Sequence, residues 1–120
     1  MCAVSGFSLG TVSRTRVAGL LDAAHIRPVW QRGPDTVRNG VVLTPTLHRL
    51  FDQGLFTLEY ARDELHVEVS PQLDDTMIRA PDDSFRLPLT SGLRVRLPAA
   101  RSAWPDPSLL RHHQSETFRA

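Results

Sequence analysis

Prolines and glycines limit how long any element can be between Leu20 and Gly54. Pro28 follows the apolar run "RVAGLLDAAHI", Gly33-Pro34 and Asn39-Gly40 punctuate a polar stretch, Thr44-Pro45 comes next, and Gly54 closes the series. The residue before a proline is pushed out of the helical region, so the first run must end at Arg27. On its own that run suits a strand or a helix equally. "QRGPDTVRNG" carries the turn signals of a loop, and the β-branched "VVL" after it has strand character, so a hairpin-like pair is expected. "TPTLHRLFDQG" then predicts a short helix with Thr44 as N-cap, Pro45 in its first turn and Gly54 just past its end. Leu47, Leu50 and Phe51 recur at i, i+3 and i+4 and form its buried stripe, which leaves His48 bordering the core.

Beyond Gly54, "LFTLEY" and "ELHVEV" flank a turn at Ala61-Arg62-Asp63, and their alternation predicts a second hairpin with His66 on its exposed face. Residues 70–92 are irregular and rich in Pro and Asp. "LRVRL" (93–97) predicts a further strand with Arg94 and Arg96 pointing outward. "PDPSLLRHHQSETFR" predicts a C-terminal helix with Asp106 as N-cap and Pro107 at its first position. The expected class is α+β.

A chain of 120 residues suffices for one domain with a single modest core and is too short for a large α/β enzyme with a deep cleft. That size argues against a serine hydrolase, although "GFSLG" matches the Gly-x-Ser-x-Gly elbow with Ser8 in the nucleophile slot; "TVSRTR" after it is a poor helix, and a glycine-rich turn explains the stretch better. No apolar segment approaches the roughly 20 residues of a membrane span. The N-terminus lacks the basic and apolar regions of a signal peptide, so a cytoplasmic protein without membrane contact is expected.

Cys2 is the sole cysteine, which excludes an internal disulfide and zinc sites made of cysteine pairs. Any metal must sit on His, Asp, Glu or Asn. The net charge is only +1, yet all fourteen basic residues are arginine, the side chain that binds phosphate in a planar, bidentate way.

His25, Asn39 and His48 are the residues of this pattern with chemistry to offer. Phosphodiester hydrolysis needs a base that titrates near neutral pH, a divalent cation for the developing charge, and a scaffold that holds both in line. A histidine at a strand end, an asparagine in the returning loop and a histidine on the following helix supply those parts. Trp30 and Trp104 offer base stacking, against the commoner use of tryptophan in packing. His112 and His113 are neighbours, so on a helix they diverge by roughly 100° and do not share a metal.

The stretch "LLDAAHIRPVWQRGPDTVRNGVVLTPTLHRLFDQGLFTL" resembles the HNH endonuclease domain, in the bacterial restriction-type branch of the His-Me finger superfamily. The resemblance begins at "CAVSG", weakly includes the tail, and is faint between about residues 70 and 103. It implies a small ββα-metal motif with an additional β-hairpin and a C-terminal helix, forming one nuclease domain over 1–120 with its core motif at about 18–56. It leaves room for this to be the C-terminal part of a longer protein whose other domain selects the DNA. The implied activity is metal-dependent DNA cleavage in restriction or defence, with one Mg2+ or Mn2+ ion, or Zn2+, and with room for a homodimer.

Carried onto this chain, His25 takes the place of the general base and Asn39 that of the residue that holds the hairpin and orients the base. His48 takes the metal-ligand position, and His113 matches a structural histidine of the tail. Many members carry a metal-binding Asp or His immediately before the base, where this chain has Ala24. Asp22 is the nearest acid, but in a regular strand it points to the face opposite His25 and becomes a ligand only through a bulge or twist. Asp52, one turn after His48, is expected to orient that imidazole from behind, or else to organise the turn into Gly54. Arg27, Arg32, Arg38 and Arg49 are expected, as a group, to contact phosphate. The competing expectation is a non-catalytic module that uses the same hairpin and helix to hold a structural ion and bind DNA or protein.

Overall fold

The structure, a computed structural model, describes residues 1–6, 21–73 and 87–120. Ser8 and the beginning of the first apolar run, up to Leu20, lie outside the described residues, as does the middle of the irregular stretch, 74–86. Two antiparallel hairpins, a short helix and a C-terminal helix make up the regular structure, so the described chain mixes strand and helix as expected.

The first apolar run resolves as a strand. β1 (Asp22–His25) pairs with β2 (Gly40–Leu43) in a regular register that sets Ala24 against Val41 and His25 against Gly40. Between them the chain makes two short 3-10 turns, Val29–Gln31 and Val37–Asn39. Gly33 lets that loop fold back, since a Cβ there would lie 1.7 Å from the carbonyl oxygen of Arg27.

α1 (Pro45–Asp52) buries Leu47 and Phe51, with Leu50 packed partly against the core. Thr44 occupies the N-cap position, but its side chain makes no capping bond; Pro45 removes one of the donors that would need a cap. Gly54 follows with φ +73°, and a Cβ on it would meet the Thr117 carbonyl oxygen at 1.9 Å. A glycine is therefore required where the C-terminal tail crosses the end of α1.

β3 (Phe56–Ala61) and β4 (Glu64–Val69) form the second hairpin around Arg62, which takes a positive φ. α2 (Pro107–Glu116) packs on β3, and the Asp106 side chain accepts a hydrogen bond from Ser108 N at 2.8 Å, as its N-cap position predicts. His113 closes the joint between α2 and α1. It is 2% exposed, stacks on Phe51 with ring centroids 3.8 Å apart, and bonds Phe51 O at 2.9 Å and Thr57 Oγ1 at 2.7 Å. A carbonyl can only accept, so Nε2 carries the proton and Nδ1 accepts from the Thr57 hydroxyl.

Two expectations need correction. The segment 93–97 forms no regular strand; it touches β4 through a single bridge between His66 and Arg94, with Val95 N donating to Leu65 O at 2.7 Å. Its other partner is the N-terminal segment, where Arg96 N donates to Ala3 O at 2.9 Å, so the residues divide their bonds between two neighbours. Arg94 and Arg96 do face outward. His66 is half-buried rather than exposed, 3.2 Å from the Glu64 carboxylate. Among the described residues no helix is long and apolar enough to cross a membrane.

Candidate active and metal site

Asn39 is where the loop between β1 and β2 is locked. Its side chain is fully buried; Oδ1 accepts from Arg27 N at 2.9 Å, and Nδ2 donates to Arg27 O at 2.9 Å and to Pro34 O at 2.8 Å. Together with Ile26 N donating to Asn39 O at 3.0 Å, these bonds extend the β1–β2 ladder past the end of the strands. A buried amide left without such partners would be costly, and this one is fully paired. All three side-chain bonds go to backbone, so Asn39 sets the path of the chain on which His25 stands.

His25, the last residue of β1, is partly open to solvent, with 43% of its side chain exposed. Its Nε2 lies 3.9 Å from an oxygen of Asp35, a fully exposed loop residue that sequence reasoning did not single out. His48, on α1, stands between two carboxylates. Its Nδ1 is 3.0 Å from Asp22 Oδ2, and its Nε2 is 3.2 Å from Asp52 Oδ2, one helical turn on. Asp22 reaches His48 from a regular strand because α1 packs across the β1–β2 hairpin.

An open cleft of about 430 Å3 brings His25, His48 and Asp52 together. The turn carrying Val29 and Trp30 lines one part of it, and Glu116, Thr117 and Arg119 from the C-terminal end line another. Burial raises the Asp52 carboxyl above the ordinary carboxylate range, and attraction to His48 and then to His25 opposes that rise. His113 also lines this cleft, and its burial lowers its pKa to about 4, so it is neutral at physiological pH.

The four arginines expected to meet phosphate are differently disposed. Arg38 is committed within the protein: its Nε donates to Trp104 O at 3.1 Å, and its guanidinium lies 3.8 Å from Asp106. Arg27 turns its Nε to Gln31 O. Arg32 and Arg49 are exposed, Arg32 in the left-handed conformation at the end of the Val29–Gln31 turn.

The donor set fits a divalent ion only in part. An imidazole nitrogen with its other nitrogen on a carboxylate is the arrangement in which histidines commonly bind metals, and carboxylate oxygen beside it suits hard and borderline cations. Yet among the described residues no three His, Cys, Asp or Glu side chains converge as a closed metal site would require. Such a pair suits an ion that keeps most of its positions for water and phosphate. Ala24, in the place before the base, is fully buried and offers no donor.

Residues 2–59, from the N-terminal segment into β3, match the family model described as HNH endonuclease. All the site residues expected from the sequence fall within that span, whereas α2 and the C-terminal wall of the cleft lie beyond it. No curated protein matches the chain.

Proposed function

We propose, for a chain whose residues 2–59 carry the HNH endonuclease pattern, that it is a metal-dependent endonuclease hydrolysing the phosphodiester bonds of DNA. The observation that carries this reading is the meeting of His25, His48 and Asp52 in one open cleft. His25 accepts the proton of the attacking water. Asn39 holds the loop that fixes His25 in place, acting through the backbone rather than by touching the reacting atoms.

His48 Nε2 and Asp52 are the donors that would hold a divalent ion, with Asp22 behind them orienting the imidazole through Nδ1. The two carboxylates thus exchange the parts that the sequence alone suggested. An ion bound there would offset the negative charge that builds on the phosphate and the leaving oxygen. The carboxylate oxygen of this pair and the room it leaves for water suit Mg2+ or Mn2+, and its imidazole nitrogen suits Zn2+ as the alternative. Arg32 and Arg49 are the arginines free to contact the DNA backbone. A place in restriction or defence, a separate or fused specificity domain, a cytoplasmic setting and pairing of two copies belong to this proposal on the strength of the resemblance.

A second reading has one observation in its favour. Ala24 and the absence of a third donor among the described residues suit a module that holds a structural ion and binds DNA or protein without cutting it. Incubating the protein with supercoiled plasmid in Mg2+, Mn2+, Zn2+ or EDTA separates the two. Nicking in Mg2+ or Mn2+ that EDTA abolishes supports the nuclease. Tight Zn2+ binding that raises the melting temperature, with no nicking in any metal, supports the module.

A further inference from the structure

Trp30 is 80% exposed and its neighbour Val29 68% exposed, although both are large apolar side chains and stand five residues or fewer from His25 in the chain. The other tryptophan is used in the ordinary way: Trp104 is half-buried, donates its Nε1–H to Pro98 O at 2.8 Å, and carries Arg101 over its ring at 4.8 Å. Trp30 and Val29 together place an adjoining pair of exposed apolar side chains on the rim of the cleft.

The turn that presents Trp30 is held from several sides. Gln31 N and Gly33 N both donate to Pro28 O at 2.9 Å, and Arg32 N donates to Val29 O at 2.9 Å. Arg27 Nε ties the turn to the hairpin through Gln31 O, and Gln31 Oε1 meets His112 Nε2 of α2 at 2.9 Å. The indole thus stands on a braced platform at the edge of the cleft that contains His25 and His48, with exposed Arg32 at the end of the same turn.

We propose that Trp30, seconded by Val29, is a stacking platform for a nucleobase adjoining the phosphate that is cut, and that the preferred substrate is DNA whose bases are unpaired or readily unstacked at that point. This deepens the nuclease reading and rests on it. An aromatic ring beside a cationic group and a phosphate-processing cleft is the combination that binds single strands: backbone contacts supply the charge term, and stacking on an exposed ring supplies a contribution insensitive to sequence. In a closed duplex the faces of the bases are already covered by their neighbours, so a ring on a fixed turn reaches one only where the stack opens.

The test compares Trp30 with Trp30→Ala, both in a His25→Ala background with Mg2+ so that no strand is cut. Binding is measured by anisotropy on a labelled single-stranded oligothymidylate and on a baseless deoxyribose-phosphate chain of equal length. Trp30→Ala should weaken binding to the oligothymidylate by about tenfold, the scale of one lost base stack, and leave binding to the baseless chain unchanged. Because the side chain is so exposed, the melting temperature should not move. Equal affinities of the two proteins for the oligothymidylate, or an equal loss on both chains, would overturn the proposal. If the unsubstituted protein nicks plasmid while Trp30→Ala binds as well as Trp30, only the stacking proposal falls; if it neither binds nor nicks DNA, the nuclease reading falls and takes the stacking proposal with it.

Discussion

The side-chain amide of Asn39 pairs with both backbone groups of Arg27, accepting from its N–H and donating to its carbonyl, each at 2.9 Å. It replaces a rung of the β-ladder at a place where the chain has already left the strand. The position of His25, two residues before Arg27, depends on this clasp.

Asn39→Ala should therefore act on stability first. It leaves Arg27 N–H, Arg27 C=O and Pro34 C=O without their partner, and with partial access of water to the loop the cost should be about 3 kcal/mol. Urea denaturation measures it; a loss of stability within about 0.5 kcal/mol of zero would contradict the clasp. Asn39→Asp should fare no better near neutral pH, because a carboxylate would face two carbonyl oxygens.

The buried His113 makes stability depend on pH. Its folded pKa is lowered to about 4 by burial, below the ordinary histidine value of 6.5. The unfolded chain therefore binds the proton more readily, so folding is favoured above about pH 6.5 and that contribution is lost as the pH falls towards 4. The full effect would be about 3 kcal/mol, an upper figure for a group bonded to both Phe51 and Thr57. Denaturation curves between pH 7 and pH 4 should show the wild type losing more stability than His113→Gln does. Parallel curves would contradict the assignment.

The two carboxylates flanking His48 should separate in a nicking assay read against Mn2+ concentration. Asp22→Asn removes the charge behind the imidazole and should lower activity roughly 10- to 100-fold, the usual consequence of losing such an outer partner. Asp52→Asn removes a donor that faces the cleft, so it should both lower the rate further and raise the Mn2+ concentration needed for half-maximal cleavage. The reverse order would return Asp22 to the ligand position.

Arginine substitutions should divide by whether the guanidinium is already engaged within the protein. Arg49→Ala, on the outer face of α1, should reduce the salt dependence of DNA affinity by about one unit of slope, the signature of one lost phosphate contact. Arg38→Ala should leave that slope unchanged and instead loosen the attachment of Trp104 and Asp106, detectable as a lower melting temperature. An unchanged slope for Arg49→Ala, or a lowered one for Arg38→Ala, would contradict this division.

Local signals carried much of this site into view from the sequence. Pro28, Asn39-Gly40 and Thr44-Pro45 delimit the strand, loop and helix, and the stripe of Leu47 and Phe51 puts His48 at the core's edge, where it lies. What the sequence did not reveal depends on contacts between distant residues. That Asp22 and Asp52 contact opposite nitrogens of His48 follows from how α1 crosses the hairpin, the commitment of Arg38 from a partner 66 residues away, and the far wall of the cleft from the return of the C-terminal tail over Gly54. The segment 93–97 has the alternation of a strand, but it shares its hydrogen bonds between β4 and the N-terminal segment.

The most direct test of the account is the rate at which the purified protein converts supercoiled plasmid to the nicked form in Mn2+, with and without His25→Ala. The wild type should nick the plasmid, and the rate should fall by at least about a hundredfold in the variant, the contribution typical of a general base, while the melting temperature of the fold is retained. Nicking that persists undiminished in His25→Ala would contradict it, because the water would then be activated by something other than the histidine at the end of β1.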